Sequence, residues 1–257
     1  MSELASESSA QRELASESSA QRELASESSA QRAPRLVLVR HGQTAANVIH
    51  ALDTRPPGAP LTELGHAQAA ALAERLRVDP VVGGPISAVH ASTATRAQQT
   101  AAPLAAALGL EVQVVDGAHE IFVGDLENRS DVEARERFEE VYAAWGRGDL
   151  DAHLPGGESA QELRDRFTAA VEKITGPAAG PVAGTVVLVS HGAAIRLGAA
   201  ALLGDVVETA YLGNTGIVVL SAIGSGDGSG QGGGWELVHW DPAPPRPGDV
   251  TAGGEAD

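Results

Sequence analysis

Hydrophobic and polar positions alternate along this chain in two rhythms. Short, mostly apolar runs fall at 36–39, 86–91, 111–115, 186–189, 217–220 and 235–238. Their length and β-branched content predict strands, the central ones buried on both faces. Longer stretches with helical spacing lie between them, at 61–76, 93–108, 131–145, 158–174 and 193–203. Thr62 stands where an N-cap is expected, and Gly109 where a helix should stop. Strands alternating with helices predict an α/β fold, a three-layer α/β/α sandwich around a mostly parallel central sheet. In such a fold the chemistry belongs outside the carboxyl ends of the strands.

Both ends break the pattern. Residues 3–12, 13–22 and 23–32 each read ELASESSAQR. Ten residues turn a helix by about 1,000°, so successive leucines rotate by about 80° and form no stripe. A repetitive, disordered or weakly helical arm is expected over 1–32, ahead of a single domain at 33–240. The stretch GSGDGSGQGGG at 224–234 reads as a flexible loop joining the last two strands. Its formal G-x-G-x-x-G, at Gly228, Gly230 and Gly233, lacks the preceding strand and following helix of a dinucleotide site. Residues 241–257 read as a disordered, Pro-rich acidic tail.

Composition narrows the chemistry. A net charge of −16 argues against a general nucleic-acid binder or a basic membrane anchor. With no cysteine, thiolate metal sites and cysteine nucleophiles are excluded, and Lys173 is the only lysine. No window reaches the apolar length of a membrane span, and no signal-peptide pattern opens the chain. A cytoplasmic location is therefore expected, and the sequon Asn128-Arg129-Ser130 reads as a chance match.

The first strand ends in Arg40-His41-Gly42, with Gly42 expected to allow the sharp turn out of the sheet. The run VVLVSHG ends in His191-Gly192, so two strands deliver a His-Gly to one rim. Arg96 falls about a turn inside the helix after the second strand, and Glu120 lies in a loop after the third. Two arginines, two histidines and a carboxyl group, with no acidic cluster to hold a metal, suit a phosphate dianion. Arginine forks bind phosphate oxygens, a neutral histidine attacks phosphorus, and a carboxylic acid protonates the leaving oxygen. Arg40 and Arg96 should keep His41 neutral. A bound dianion should favour the protonated, donor form of Glu120.

Six pieces in order carry a family resemblance: RHGQTAAN (40–47), LTELGHAQA (61–69), STATRAQQTA (92–101), HEIFVGDLE (119–127), PGGES (155–159) and VSHG (189–192). The chain resembles the histidine phosphatase superfamily, in its phosphoglycerate-mutase-like branch. The resemblance implies that His41 is the nucleophile and becomes phosphohistidine. Arg40, Arg96 and His191 would grip the phosphoryl oxygens, and Glu120 would donate the proton and later activate water. Gln43, Asn47 and Gly192 would line the pocket, with no cofactor and no metal. A helical cap insertion at about 121–157 would choose the substrate.

The chain departs from the family where E-G is replaced by Glu127-Asn128, in a loop expected to border the substrate. Mutases of the family carry a lysine-bearing stretch after the acid, and residues 121–135 contain no lysine. His191-Gly192, in place of His-Asp, argues against the acid-phosphatase branch. The expected activity is hydrolysis of a small phosphorylated metabolite, a phospho-acid or phospho-sugar. The alternatives are a cofactor-dependent phosphoglycerate mutase, a metal-dependent phosphoesterase and a non-catalytic phospho-ligand module. Within the cap, Arg129, Arg135, Arg137, Arg147, Trp145 and His153 are the side chains able to read a second substrate group. The run RSDVEARERFEE also fits a solvated charged face.

Overall fold

The computed structural model describes residues 35–176, 184–205, 209–223 and 234–241. The decads, most of the Gly-rich loop and the tail beyond residue 241 lie outside the described residues. Strand β1 (Arg35–Arg40) pairs in parallel with β4 (Thr185–Ser190), Arg40 opposite Ser190. Parallel pairing continues to β2 (Ile86–Ala91) and then β3 (Val112–Val114). On the other side of β1, β5 (Ile217–Ala222) and β6 (Trp235–Trp240) add two antiparallel pairings. The resulting order is β3-β2-β4-β1-β5-β6.

Alternation along β1 builds the layers. Leu36 and Leu38 pack with Phe167 of α5 (Ala160–Thr175) and Ile195 of α6 (Gly192–Leu202). Val37 and Val39 face the other way, onto Leu72 and Leu76 of α2 (Glu63–Val78) and Leu104 of α3 (Thr95–Leu108). Val186/Leu188 and Val187/Val189 of β4 divide in the same manner. This is the expected three-layer sandwich. Among the described residues, no helix is long and apolar enough to cross a membrane.

Helix ends follow their caps. Thr62 accepts from the Gly65 amide as expected. Helix α4 (Val132–Gly146) begins one residue later than the pattern implied, because Asp131 is its N-cap. Helix α5 begins two later, with Ser159 and Glu162 forming a capping box. The short α1 (Ala45–Val48) and the 3-10 turns at Pro80–Val82 and Gly124–Leu126 have no periodicity to read. The cap insertion has a small core of its own, Val123, Leu126, Ala134 and Leu154. Trp145 instead joins the main core with Phe167 and Ile195, and its indole N–H donates to the Ala152 carbonyl.

One boundary needs correction. Asp241, expected to open the disordered tail, belongs to the fold. It receives both terminal nitrogens of Arg75 at 2.8 Å and the Ile217 amide at 2.9 Å. His239 adds a further contact at 2.8 Å. The last strand is thereby tied to α2 and to the start of β5.

Candidate active site

Because β1 and β4 are parallel neighbours in register, the residues that follow them meet. The His41 and His191 rings lie edge to face with centroids 5.1 Å apart, 4% and 0% exposed. The peptide after His41 is fixed by close approach. A Cβ on Gly42 would lie 2.7 Å from the Gly65 carbonyl oxygen. The expectation that Gly42 supplies a turn conformation is therefore replaced: it is absent from the positive-φ glycines, and its small size lets α2 close onto it. The Gly42 amide donates to Thr100 Oγ1 at 3.0 Å.

Hydrogen bonding selects the tautomer of His41. Nδ1 lies 2.7 Å from the Gly42 carbonyl oxygen, which only accepts, so Nδ1 carries the hydrogen. Nε2 is left with its lone pair, and Arg96 Nε donates to it at 3.1 Å. The pKa of His41 is held well below the ordinary imidazole value. Burial is the main cause, followed by Arg96 and then Arg40. The expectation had credited the arginines alone; desolvation by the surrounding protein outweighs them. The pKa of His191 is also held well below that value, chiefly by burial and then by Arg96 and His41. His191 Nε2 lies 2.7 Å from Ser92 Oγ, while its Nδ1 is buried with no hydrogen-bond partner among the described residues.

Arg96 is the second residue of α3, in its first turn rather than a turn inside, and is 2% exposed. Its Nη1 pairs with Asp53 Oδ2 at 3.3 Å, and Nη2 donates to the Asp53 carbonyl at 2.9 Å. Gly58 gives the guanidinium its room, since a Cβ there would lie 2.1 Å from Nη1. Arg40 donates through Nη1 to Leu212 O at 2.6 Å and to Tyr211 Oη at 2.7 Å. Its Nε is buried and lacks a partner among the described residues. Gly192 sits against this side chain, with a Cβ position 3.4 Å from Arg40 Nε.

Glu120 reaches the same rim from its loop. The Ala193 and Ala194 amides of the first turn of α6 donate to its two carboxyl oxygens at 3.2 and 2.9 Å. The two peripheral residues have local duties. Gln43 accepts from Thr62 Oγ1 at 3.0 Å, bracing the cap of α2. Asn47 Oδ1 accepts from the Thr44 amide and from Asn214 Nδ2. Among the described residues no group of three or more His, Cys, Asp or Glu could hold a metal ion.

Residues 36–240 match the profile of the histidine phosphatase superfamily (branch 1). The chain belongs to the histidine phosphatase superfamily. Within it, the chain is 34% identical over 224 residues to the PE-PGRS family protein PE_PGRS11 of Mycobacterium tuberculosis, covering 81% of this chain and 36% of that protein. It is 35% identical over 165 residues to a metal-independent phosphoserine phosphatase of Arabidopsis thaliana, covering 63% of this chain and 65% of that one. The chain thus spans about a third of the first relative's length and just under two thirds of the second's. A mycobacterial glucosyl-3-phosphoglycerate phosphatase complexed with VO3 superposes with a TM-score of 0.65 and 29% identity, covering 81% of this chain and 99% of that one.

The five side chains singled out in this histidine phosphatase chain, Arg40, His41, Arg96, Glu120 and His191, converge as the sequence implied. Their partners were missed. Asp53 sits in a Pro/Gly-rich loop with no pattern to mark it. Ser92, Tyr211 and Asn214 were within reach of reasoning, because Ser92 follows β2 and the other two precede β5, at the same rim. Asn214 donates to the His41 carbonyl at 3.0 Å, so the segment before β5 helps hold His41. In the cap, Arg129 pairs with Asp131 and Glu133 at the surface, and Trp145 is core. The Glu127-Asn128 departure has a backbone reason: Asn128 has φ 62°, a conformation that favours glycine and that asparagine tolerates. Glu127 meanwhile accepts from the Thr54 and Arg55 amides and the Thr54 hydroxyl, clamping the loop that carries Asp53.

Proposed function

We propose that this protein is a metal-independent phosphatase that hydrolyses small phosphomonoesters through a phosphohistidine at His41. The observation that carries the reading is the state of His41: buried, neutral, protonated on Nδ1, with its Nε2 lone pair facing Arg96. In the first step the Arg96 Nε–H passes from His41 Nε2 to a phosphoryl oxygen, the freed Nε2 lone pair attacks phosphorus, the bond to the ester oxygen breaks, and that oxygen takes the proton of Glu120. In the second step water attacks phosphorus and gives a proton to the Glu120 carboxylate. The P–N bond then breaks, returning neutral His41 and releasing inorganic phosphate.

Arg96 Nε, Arg40 Nε and His191 Nδ1 are the donors assigned to the phosphoryl oxygens. The latter two have no hydrogen-bond partner among the described residues, which supports that role. His191 serves as a neutral donor if Ser92 Oγ–H donates to its Nε2, leaving the hydrogen on Nδ1. Such donors, already fixed and desolvated, stabilise the transferring charge without reorganisation. Similarity to a phosphoserine phosphatase and to a glucosyl-3-phosphoglycerate phosphatase supports a phosphorylated small acid as substrate.

The test is phosphate release from a panel of phosphomonoesters in excess EDTA, with His41→Ala beside the parent protein. Release that survives EDTA and vanishes in the variant supports the mechanism. Phosphoglycerate interconversion without net release would mean a mutase. Release that is lost with EDTA, or that survives the substitution, would overturn it.

A further inference from the structure

We infer that Arg166 and Glu158 form a brace that positions Glu120 for proton transfer, an inference that rests on the phosphatase reading above. The PGGES segment was singled out by sequence, yet none of the catalytic roles uses its glutamate. Glu158 and Arg166 lie eight residues apart, the first just before the Ser159 N-cap of α5 and the second in its second turn, and their side chains are 16% and 17% exposed. Arg166 Nε and Nη2 fork onto the two Glu158 oxygens at 2.6 and 2.8 Å. Its remaining donors go to main-chain oxygens of the acid loop: Nη1 to Gly117 at 2.7 Å and His119 at 2.8 Å, and Nη2 to Glu120 at 3.0 Å. All five N–H groups of the guanidinium are thereby used.

Glu158 completes the hold from the other side of Glu120. Its Oε2 accepts from the Phe122 amide at 3.0 Å, and its own amide donates to the Phe122 carbonyl at 2.8 Å. The loop at 117–122 has no regular structure, so its buried peptide groups need such partners. It also lies directly on α5: a Cβ on Gly117 would meet the Arg166 carbonyl oxygen at 2.6 Å. The His119 ring stacks on Phe122 at 4.7 Å across the intervening residues. One ion pair therefore sets the main-chain position of the residues flanking the acid on both sides. Its carboxyl group is held by the α6 amides and, at 2.9 Å, by the Ile121 amide of the loop itself. Lysine cannot replace the planar fork, being a point donor.

A positioning role separates from a merely structural one through the leaving group. A dinitrophenolate departs without a proton, whereas an alkoxide needs one from Glu120. For the 257-residue chain, kcat/KM is measured with 2,4-dinitrophenyl phosphate and with glycerol phosphate, since it reports the step that expels the leaving group. Displacing the acid by about 1 Å is expected to lower kcat/KM about 100-fold for the alkyl ester in both Arg166→Ala and Arg166→Lys. The change for the activated ester should stay below about threefold, and millimolar guanidinium should restore part of the Arg166→Ala loss. Because Arg166 acts through Glu120, adding Arg166→Ala to Glu120→Ala should cost the alkyl ester little more. Parallel loss on both esters, or multiplication of the two substitutions, would overturn the brace. If Arg166→Ala does not fold by circular dichroism, Glu158→Gln undergoes the same comparison, with the same selective loss expected. A parent protein that hydrolyses neither ester would remove the phosphatase reading itself, and this inference with it.

Discussion

Acidifying the solution from pH 6.5 to 5.5 should destabilise this fold through two histidines in particular. His41 and His191 are almost wholly buried, and each has a pKa held well below the ordinary 6.5. Below pH 6.5 the unfolded chain takes up a proton at each position and the folded chain does not. Stability is therefore complete above about pH 6.5 and falls as the pH drops, until the depressed folded values are reached. The unfolded histidine is half protonated at pH 6.5 and about nine-tenths protonated at pH 5.5, so each costs about 1 kcal/mol across that unit and the pair about 2 kcal/mol. Burial lowers His90 and His119 as well, adding to the background. Urea unfolding at pH 7.5, 6.5 and 5.5, without phosphate, gives the slope for the parent, His41→Gln and His191→Gln. Between pH 6.5 and 5.5 each variant should lose about 1 kcal/mol of pH dependence relative to the parent. Coincident slopes for His41→Gln and the parent would mean that folded His41 does take up a proton, and the neutral-nucleophile argument would fail.

Three more outcomes follow from contacts elsewhere in the site and fold. Gly42→Ala forces a Cβ against the Gly65 carbonyl; a loss of about 1–3 kcal/mol in urea unfolding and about 100-fold in kcat is expected. Ser92→Ala removes the group that fixes His191 Nε2 and should cut kcat/KM by about tenfold, and because it leaves that buried nitrogen unpaired it should also cost about 1–3 kcal/mol in urea unfolding. Asp241→Ala should cost about 1–2 kcal/mol, discounted because Arg75 is 38% exposed. Asp241 has its carboxyl pKa lowered to about 2: burial opposes the shift, and Arg75, His239 and the Ile217 amide outweigh it. Its contribution is present above about pH 4 and should vanish as the pH falls through 2 in acid titrations of parent and variant.

What could be read from sequence was what periodicity and strand ends encode. The unbroken Leu36–Val39 run foretold a strand covered on both faces, and two His-Gly strand ends foretold a shared rim, because parallel neighbours in register bring equivalent positions together. Arg96 was found through the strand before it, but its burial was not, since a single arginine in an Ala-rich helix carries no sign of its partner. Asp53 reaches it from 43 residues away in a loop without periodicity. Asp241 was assigned to the tail because the residues after it are Pro-rich, while its bond to Arg75 spans 166 residues. Long-range polar pairs of this kind leave no local pattern. The role of Gly42 was likewise hidden, because a glycine needed for close approach reads the same as one needed for a turn.

The central claim is that His41 carries the phosphoryl group. It is tested most directly by quenching the 257-residue chain within milliseconds of mixing with a 32P-labelled phosphomonoester. A label on the protein that is stable in alkali, lost in acid, and absent from His41→Ala is the predicted result. Hydrolysis that proceeds with no labelled protein, or a label that persists when His41 is replaced, would contradict it.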